Sequence, residues 1–184
     1  VTPALVQQAL PNAVVVATGV APLRPDIPGL RGAVTADEVL LGQAVVGNKA
    51  VVIGGELVGC ETAEFLADRG KQVTVTRRGP RMATKMPLGI RLNLLNRLRA
   101  KGVNMLPGIQ YEGMEGRRLI VSKDGQKQAI EADTFVLAAG SRPNDSLVAK
   151  LRDKGFQVYA VGDCVMPRNI MEAVADGFKV ALDL

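Results

Sequence analysis

The sequence predicts a three-layer α/β fold built on a parallel sheet, and three observations predict it. Short apolar runs rich in valine recur along the chain, as in AVVVA, AVVI and TFVLA. Segments with helical spacing of apolar residues lie between several of them. The runs are apolar at successive positions rather than at alternate ones, as strands covered on both faces are.

Taken in order, Ala13–Ala17 reads as the first buried strand. Ala21–Gly32 (APLRPDIPGLRG) is dense in proline and glycine and reads as a connection between lobes. Ala50–Ile53 is a second strand, followed by a helix from Leu57 to Arg69 that Gly70 ends. Gln72–Thr76 (QVTVT) is the next strand. A helix then spans Leu88–Lys101, with an expected apolar stripe of Leu88, Leu92, Leu95 and Leu98 and with Arg91, Arg97 and Lys101 outside it. Leu119–Ser122 and Thr134–Ala138 are strands, and Ser141–Asn144 (SRPN) reads as a second crossing. Gln157–Val161 is the last strand, and a helix over Ile170–Leu182 follows, with Ala173, Val174 and Val180 among its apolar positions. The expected division is residues 31–140 as one lobe, with 1–30 and 141–184 as pieces of another.

Composition narrows the function classes. A hydrophobic share of 47% and a charged share of 22% are those of a soluble globular chain. No apolar run approaches the ~20 residues that cross a bilayer. Val1–Leu10 lacks the basic start and apolar core of a signal peptide, so a cytoplasmic location and no membrane partner are expected. Cys60 and Cys164 form neither a CxxC pair nor a zinc pattern and read as small buried side chains. Histidine is absent, which argues against hydrolase triads and zinc sites, and no metal site is expected. The net charge of +5 suits a phosphate-bearing partner. With aromatics at 3% and no tryptophan there is little on which to stack bases, and no nucleic-acid partner is expected.

The run Gly54-Gly55-Glu56-Leu57-Val58-Gly59 falls between a strand and a helix, with another strand beyond. In that order a glycine-rich turn marks a Rossmann-like dinucleotide-binding unit. Gly54 can make the tight turn, Gly59 lets the helix approach the sheet, and the helix N-terminus offers N–H groups to a pyrophosphate. Glu56 stands where the fingerprint has its middle glycine. Three readings stay open: a carboxylate turned outward with binding retained, a weakened affinity, or a vestigial site. An acidic residue about 20 positions beyond the glycines would bind the ribose hydroxyls of NAD. Arg77 and Arg78 stand there instead, with Arg81 beyond, and they favour the 2′-phosphate of NADP over NAD. A solvated basic loop is the alternative. Glu61, on the first turn of the helix, is explained by the helix dipole alone.

Four runs, VVVATGVAPLRPDIPG (14–29), VVIGGELVGCETAEFLADRGKQVTV (51–75), VLAAGSRPN (136–144) and VYAVGDCVMPRNIMEAV (158–174), occur in one order. That order resembles the flavoproteins with two dinucleotide-binding domains. The order is close to that of the C-terminal FAD/NAD(P) module of the NADH:flavin oxidoreductases related to 2,4-dienoyl-CoA reductase, the old-yellow-enzyme-like proteins. The resemblance implies that Thr18 and Gly19 mark the exit from an FAD lobe and that Gly140, with Arg142-Pro143-Asn144, marks the return. It implies that Asp163, after Gly162, holds a ribityl hydroxyl of FAD, and that the helix starting at Ile170 points its N-terminus at the isoalloxazine. Glu61 matches a glutamate near the nicotinamide.

By this resemblance the chain is a flavoprotein oxidoreductase fragment, inactive alone, that binds NAD(P)H. In the parent, hydride would pass to FAD and electrons onward to FMN and an enoyl-type acceptor. An N-terminal flavin barrel, a four-iron four-sulfur cluster and the rest of the FAD lobe are implied outside these residues. No side chain here stands out as an acid or nucleophile. The rival reading is a degenerate nucleotide-binding domain kept for the assembly of a larger flavoprotein.

Overall fold

The computed structural model describes residues 1–184, and their Cα packing separates two units: Val1–Ala21 with Ser141–Leu184, and Pro22–Gly140. In chain order, α1 (Pro3–Ala9) precedes strands β1 (Val14–Val16), β2 (Val20–Pro22) and β3 (Val34–Thr35). Then come α2 (Ala36–Leu40), β4 (Lys49–Ile53), α3 (Leu57–Ala67), β5 (Gln72–Arg77), α4 (Leu88–Ala100) and β6 (Asn104–Pro107). Strands β7 (Gln110–Glu115), β8 (Arg118–Lys123), β9 (Gln126–Glu131), β10 (Thr134–Leu137) and β11 (Ser141–Pro143) follow. The last elements are α5 (Ser146–Arg152), β12 (Val158–Ala160), a 3-10 turn at Gly162–Cys164, and α6 (Ile170–Asp183).

The larger unit has a five-stranded parallel sheet in the order β3-β10-β4-β5-β6. Side chains alternate across a strand, so β4 serves two cores at once. Ala50 and Val52 pack with Cys60, Ala63 and Leu66 of α3 and with Leu94, Leu95 and Leu98 of α4. Val51 and Ile53 pack on the opposite face with Ile109, Leu119, Val121, Phe135 and Leu137. That second face is covered by the antiparallel sheet β7-β8-β9 rather than by helices. The three layers are therefore helices, parallel sheet and antiparallel sheet. The apolar run at Leu119–Ser122 belongs to the covering layer. Its neighbour β9 (QKQAIE) is nearly all exposed, so it shows no apolar pattern to read.

Two expectations change here. The apolar stripe of α4 is Leu94, Leu95 and Leu98, whereas Leu88 and Leu92 are exposed. Arg91 is not outside the packing but half-buried, its Nε donating to the Met82 carbonyl at 2.7 Å. The buried face is set by packing of Leu94, Leu95 and Leu98 in the helix-side core, and at the rim the helix also meets Glu64 of α3. That carboxylate takes a two-pronged bond from Arg97 (2.7 and 3.0 Å), with the Lys101 ammonium at 3.1 Å. The Arg97 fork, opposed by burial and helped by Lys101, holds the Glu64 carboxyl down to about 2. The second change concerns the first crossing, which falls at Ala21–Pro22 and not at residues 30–31. Ile27 is buried in the larger unit's second core, and the Met114 N–H donates to the Pro28 carbonyl, so residues 22–30 belong with that unit.

The smaller unit pairs β1 with β12 in parallel. Val16 packs with Val6 of α1, with Val148 and Leu151 of α5, and with Cys164. Helix α6 carries its apolar residues to solvent: Ile170, Met171, Val174, Phe178 and Leu182 are exposed, and none of its residues is buried. No helix of the chain is long and apolar enough to cross a membrane.

Candidate functional site

In the parallel sheet the chain runs outward from β4 to β5 and β6, then returns to lay β10 on the other side of β4. The order reverses between β4 and β10, and the crevice beyond the carboxyl ends of such strands is where open α/β sheets take ligands. The Gly54–Gly59 turn leaves β4 at that point, and Ala138–Gly140 leaves β10 beside it. Gly54 has φ +122°, and a Cβ there would run into the Ala138 carbonyl. A Cβ on Gly59 would strike the Gly54 carbonyl oxygen. Only glycine fits either position, and as a result α3 starts hard against the strand end.

The first turn of α3 is left open. Its N-cap is Glu56, whose side chain makes no capping bond, so nothing from the cap residue fills the orphan N–H groups. Leu57 and Val58 are exposed, as is Glu61 one turn on. The Glu56 carboxylate is bonded elsewhere. It accepts the Thr84 hydroxyl at 2.7 Å and the Lys85 N–H at 3.2 Å, and it is ion-paired with Arg77. Burial pushes its carboxyl up, but these bonds and the charges of Arg77 and Lys85 win and hold it below the ordinary range. Of the three readings open for Glu56, this geometry matches the side chain turned away from the helix N-terminus.

Residues 79–86 close over the turn. The Ala83 N–H donates to the Gly55 carbonyl at 2.7 Å, and Met82 lies against Gly55. Ala83 is fully buried at φ +51°, a left-handed conformation that a non-glycine residue keeps only when its surroundings over-determine it. The spacing of residues in the sequence carries no sign of this closure, nor of Thr84 and Lys85 as partners of Glu56.

The three arginines differ. Arg77 is spent internally: besides Glu56, it donates from Nη1 to the Arg81 carbonyl at 2.5 Å and from Nη2 to the Thr84 hydroxyl at 3.0 Å. Arg78 and Arg81 are exposed. The Arg78 guanidinium lies over the Tyr111 ring, 5.2 Å from its centroid. Tyr111 is anchored in turn. The Thr76 hydroxyl gives its proton to the Val52 carbonyl at 3.1 Å, so the Tyr111 hydroxyl donates to Thr76 Oγ1 at 2.9 Å. Tyr111 comes from β7, and no local pattern in the sequence points to it.

In the smaller unit, Thr18-Gly19 and Gly162-Asp163 follow the carboxyl ends of the paired strands β1 and β12. Thr18 donates to the Asn144 carbonyl at 2.5 Å, and Asn144 returns a bond to the Thr18 carbonyl at 3.3 Å. Asp163 accepts the Arg168 N–H at 3.1 Å, and the Gly162 N–H is taken by Asp176 of α6 at 3.2 Å. Helix α6 starts at Ile170 but, unlike α3, is closed by a capping box. The Asn169 side chain accepts from Met171 and Glu172, and the Glu172 carboxylate accepts from the Asn169 N–H. No group of three or more His, Cys, Asp or Glu side chains lies together in a way that could hold a metal ion.

The chain is similar to an NADH oxidase of Thermoanaerobacter brockii, 35% identical over 179 residues that cover 93% of this chain and 28% of that protein. A bilirubin reductase of Mediterraneibacter gnavus is 34% identical over 174 residues, covering 93% of this chain and 27% of its own length. Among solved structures, a complex of 2-naphthoyl-CoA reductase with 2-naphthoyl-CoA superposes with a TM-score of 0.95 at 28% identity, over 100% of this chain and 28% of that one. The chain thus spans under a third of the length of these relatives. The pattern of the pyridine nucleotide-disulphide oxidoreductases matches residues 7–177, and the chain belongs to that family.

Proposed function

We propose that the chain is the NAD(P)H-binding portion of a flavoprotein oxidoreductase and takes its dinucleotide across the Gly54–Gly59 turn. One observation carries this reading: the uncapped first turn of α3 stands at the switch point of the sheet, behind two glycines that no other residue could replace. A pyrophosphate fits such a cradle, because its charge suits the free N–H groups and the positive end of the helix dipole. Gly54, Gly55, Glu56, Leu57, Val58 and Gly59 would line it, with Gly140 at the neighbouring strand end. Arg77, Arg78 and Arg81 stand at the strand end where the adenosine ribose would come, and the exposed cations Arg78 and Arg81 favour NADP over NAD. Glu61 is assigned to the nicotinamide end on resemblance alone.

The FAD assignment rests on resemblance and on the strand-end placement of Thr18, Gly19, Gly162 and Asp163, with α6 starting at Ile170. A bound nicotinamide supplies a hydride and a bound FAD accepts it; the protein contributes position and field. The wider reading is a protein like the NADH:flavin oxidoreductases related to 2,4-dienoyl-CoA reductase. FMN, a four-iron four-sulfur cluster and an enoyl-type acceptor would then belong to parts other than these residues, in a cytoplasmic enzyme.

Calorimetric titration of the purified protein with NADPH and with NADH tests the reading. Saturable binding of at least one is expected. A folded protein that binds neither refutes it and leaves the assembly domain.

A further inference from the structure

The position of Arg77 at the end of β5 makes it the first candidate for contact with a ribose phosphate, yet its guanidinium is fully engaged. We propose that Glu56 withdraws Arg77 from ligand recognition, and that Arg78, seated on Tyr111 and joined by Arg81, determines specificity for a phosphate on the adenosine ribose. The proposal rests on the dinucleotide reading above and assigns the roles within it.

The charges come first. Glu56 and Arg77 form an ion pair whose members are 30% and 19% exposed, so the arginine brings little net field to an incoming anion. To bind a phosphate, Arg77 would have to give up Glu56, Thr84 and the Arg81 carbonyl together. Its bonds instead fasten residues 81–84 to the glycine turn, which makes it a positioning residue. The same pair accounts for the acidic residue in a phosphate cradle, because the Glu56 carboxylate is drawn towards Arg77, Thr84 and Lys85 and off the N–H groups of α3.

Arg78 has the opposite character. It is exposed and meets no carboxylate, and its planar group lies on an aromatic face. An arginine held this way loses less side-chain freedom when it takes a phosphate. Tyr111 can act as the platform because its hydroxyl is bonded to the buried Thr76, itself tied to the β4 backbone. The lysine-like point charge is not equivalent here, since stacking needs the guanidinium plane. Arg81 is the second exposed cation of the same segment, and its backbone is pinned through Arg77.

The test is the ratio of NADH to NADPH dissociation constants, measured by calorimetry on the wild type and on variants. The wild type prefers NADPH. Arg78→Ala lowers the ratio about tenfold or more, the scale of one lost charge-assisted contact. Arg78→Lys recovers only part of it. Tyr111→Phe, which keeps the ring but frees it from Thr76, lowers the ratio less than Tyr111→Leu does. Arg77→Gln changes both constants in the same direction and leaves the ratio within about twofold, a change no larger than the scatter expected without a lost contact. Arg78 is exposed, so its variants fold even if those of Tyr111 do not. A ratio that collapses in Arg77→Gln and survives in Arg78→Ala overturns the proposal, as does a wild type without preference for NADPH. Absence of binding to either nucleotide fails the dinucleotide reading itself, which separates the two failures.

Discussion

Replacing Gly59 by alanine should destabilise the larger unit, although alanine is the better helix former. Gly59 is inside α3 with an ordinary helical backbone, so any penalty is steric. The added Cβ meets the Gly54 carbonyl oxygen head-on and the Ala138 Cβ at 3.3 Å. Ordinary non-bonded separations of about 3.5 Å return only if α3 retreats from β4 by on the order of 1–2 Å. That movement loosens Cys60, Ala63 and Leu66, all buried in the helix-side core. Overpacking of this kind costs about 1–3 kcal/mol, which at about 2–4 °C per kcal/mol lowers Tm by about 2–12 °C. Gly89 of α4 is the control, because a Cβ there meets nothing within 4 Å. Gly89→Ala should raise Tm by about 1–4 °C through the lost freedom of the unfolded chain. Thermal unfolding followed by circular dichroism reads both. A Gly59→Ala protein with wild-type Tm or higher would refute the close approach of helix and strand.

The Glu64 carboxyl is held at about 2 against an ordinary 4.5, so its stabilising contribution is complete above pH 4.5 and fades as pH falls towards 2. Wild type and Glu64→Gln should therefore differ in Tm at pH 7 and by far less at pH 2; an equal gap at both would remove the Arg97 fork from the account. Burial, with the Glu56 charge assisting, pushes the Cys60 thiol up to about 11, and both cysteines are buried. Ellman's reagent at pH 8 should find no reactive thiol in the folded protein and two after unfolding, and rapid labelling of the folded protein would show that the α3 core opens. Glu56→Gly should bind NADH no more tightly than Glu56→Gln, because the side chain is already turned away and both changes remove the same charge; an affinity tenfold higher in Glu56→Gly would refute its observed orientation.

Local chemistry made much of this protein legible. Valine runs named β1, β4, β5, β10 and β12; β4 and β10 are buried almost throughout as read, whereas Val15 of β1 is exposed and β12 is only half-buried. Gly54 and Gly59 announced the turn because the lack of a side chain is itself a local fact. Elements whose apolar residues are shared with distant partners were hidden: β7 and β9 have half-polar strands, and α4 turns inward the leucines that meet the helix-side core. The site divided in the same way. Sequence spacing put Arg77, Arg78 and Arg81 at one strand end and Glu56 in the glycine run, but it treated the arginines alike and left three readings of the glutamate open. Tertiary structure decided the rest, because charges 21 positions apart in the chain cancel only when folding brings them into contact. Glu56 pairs with Arg77, and Tyr111, from the covering sheet, lies under Arg78.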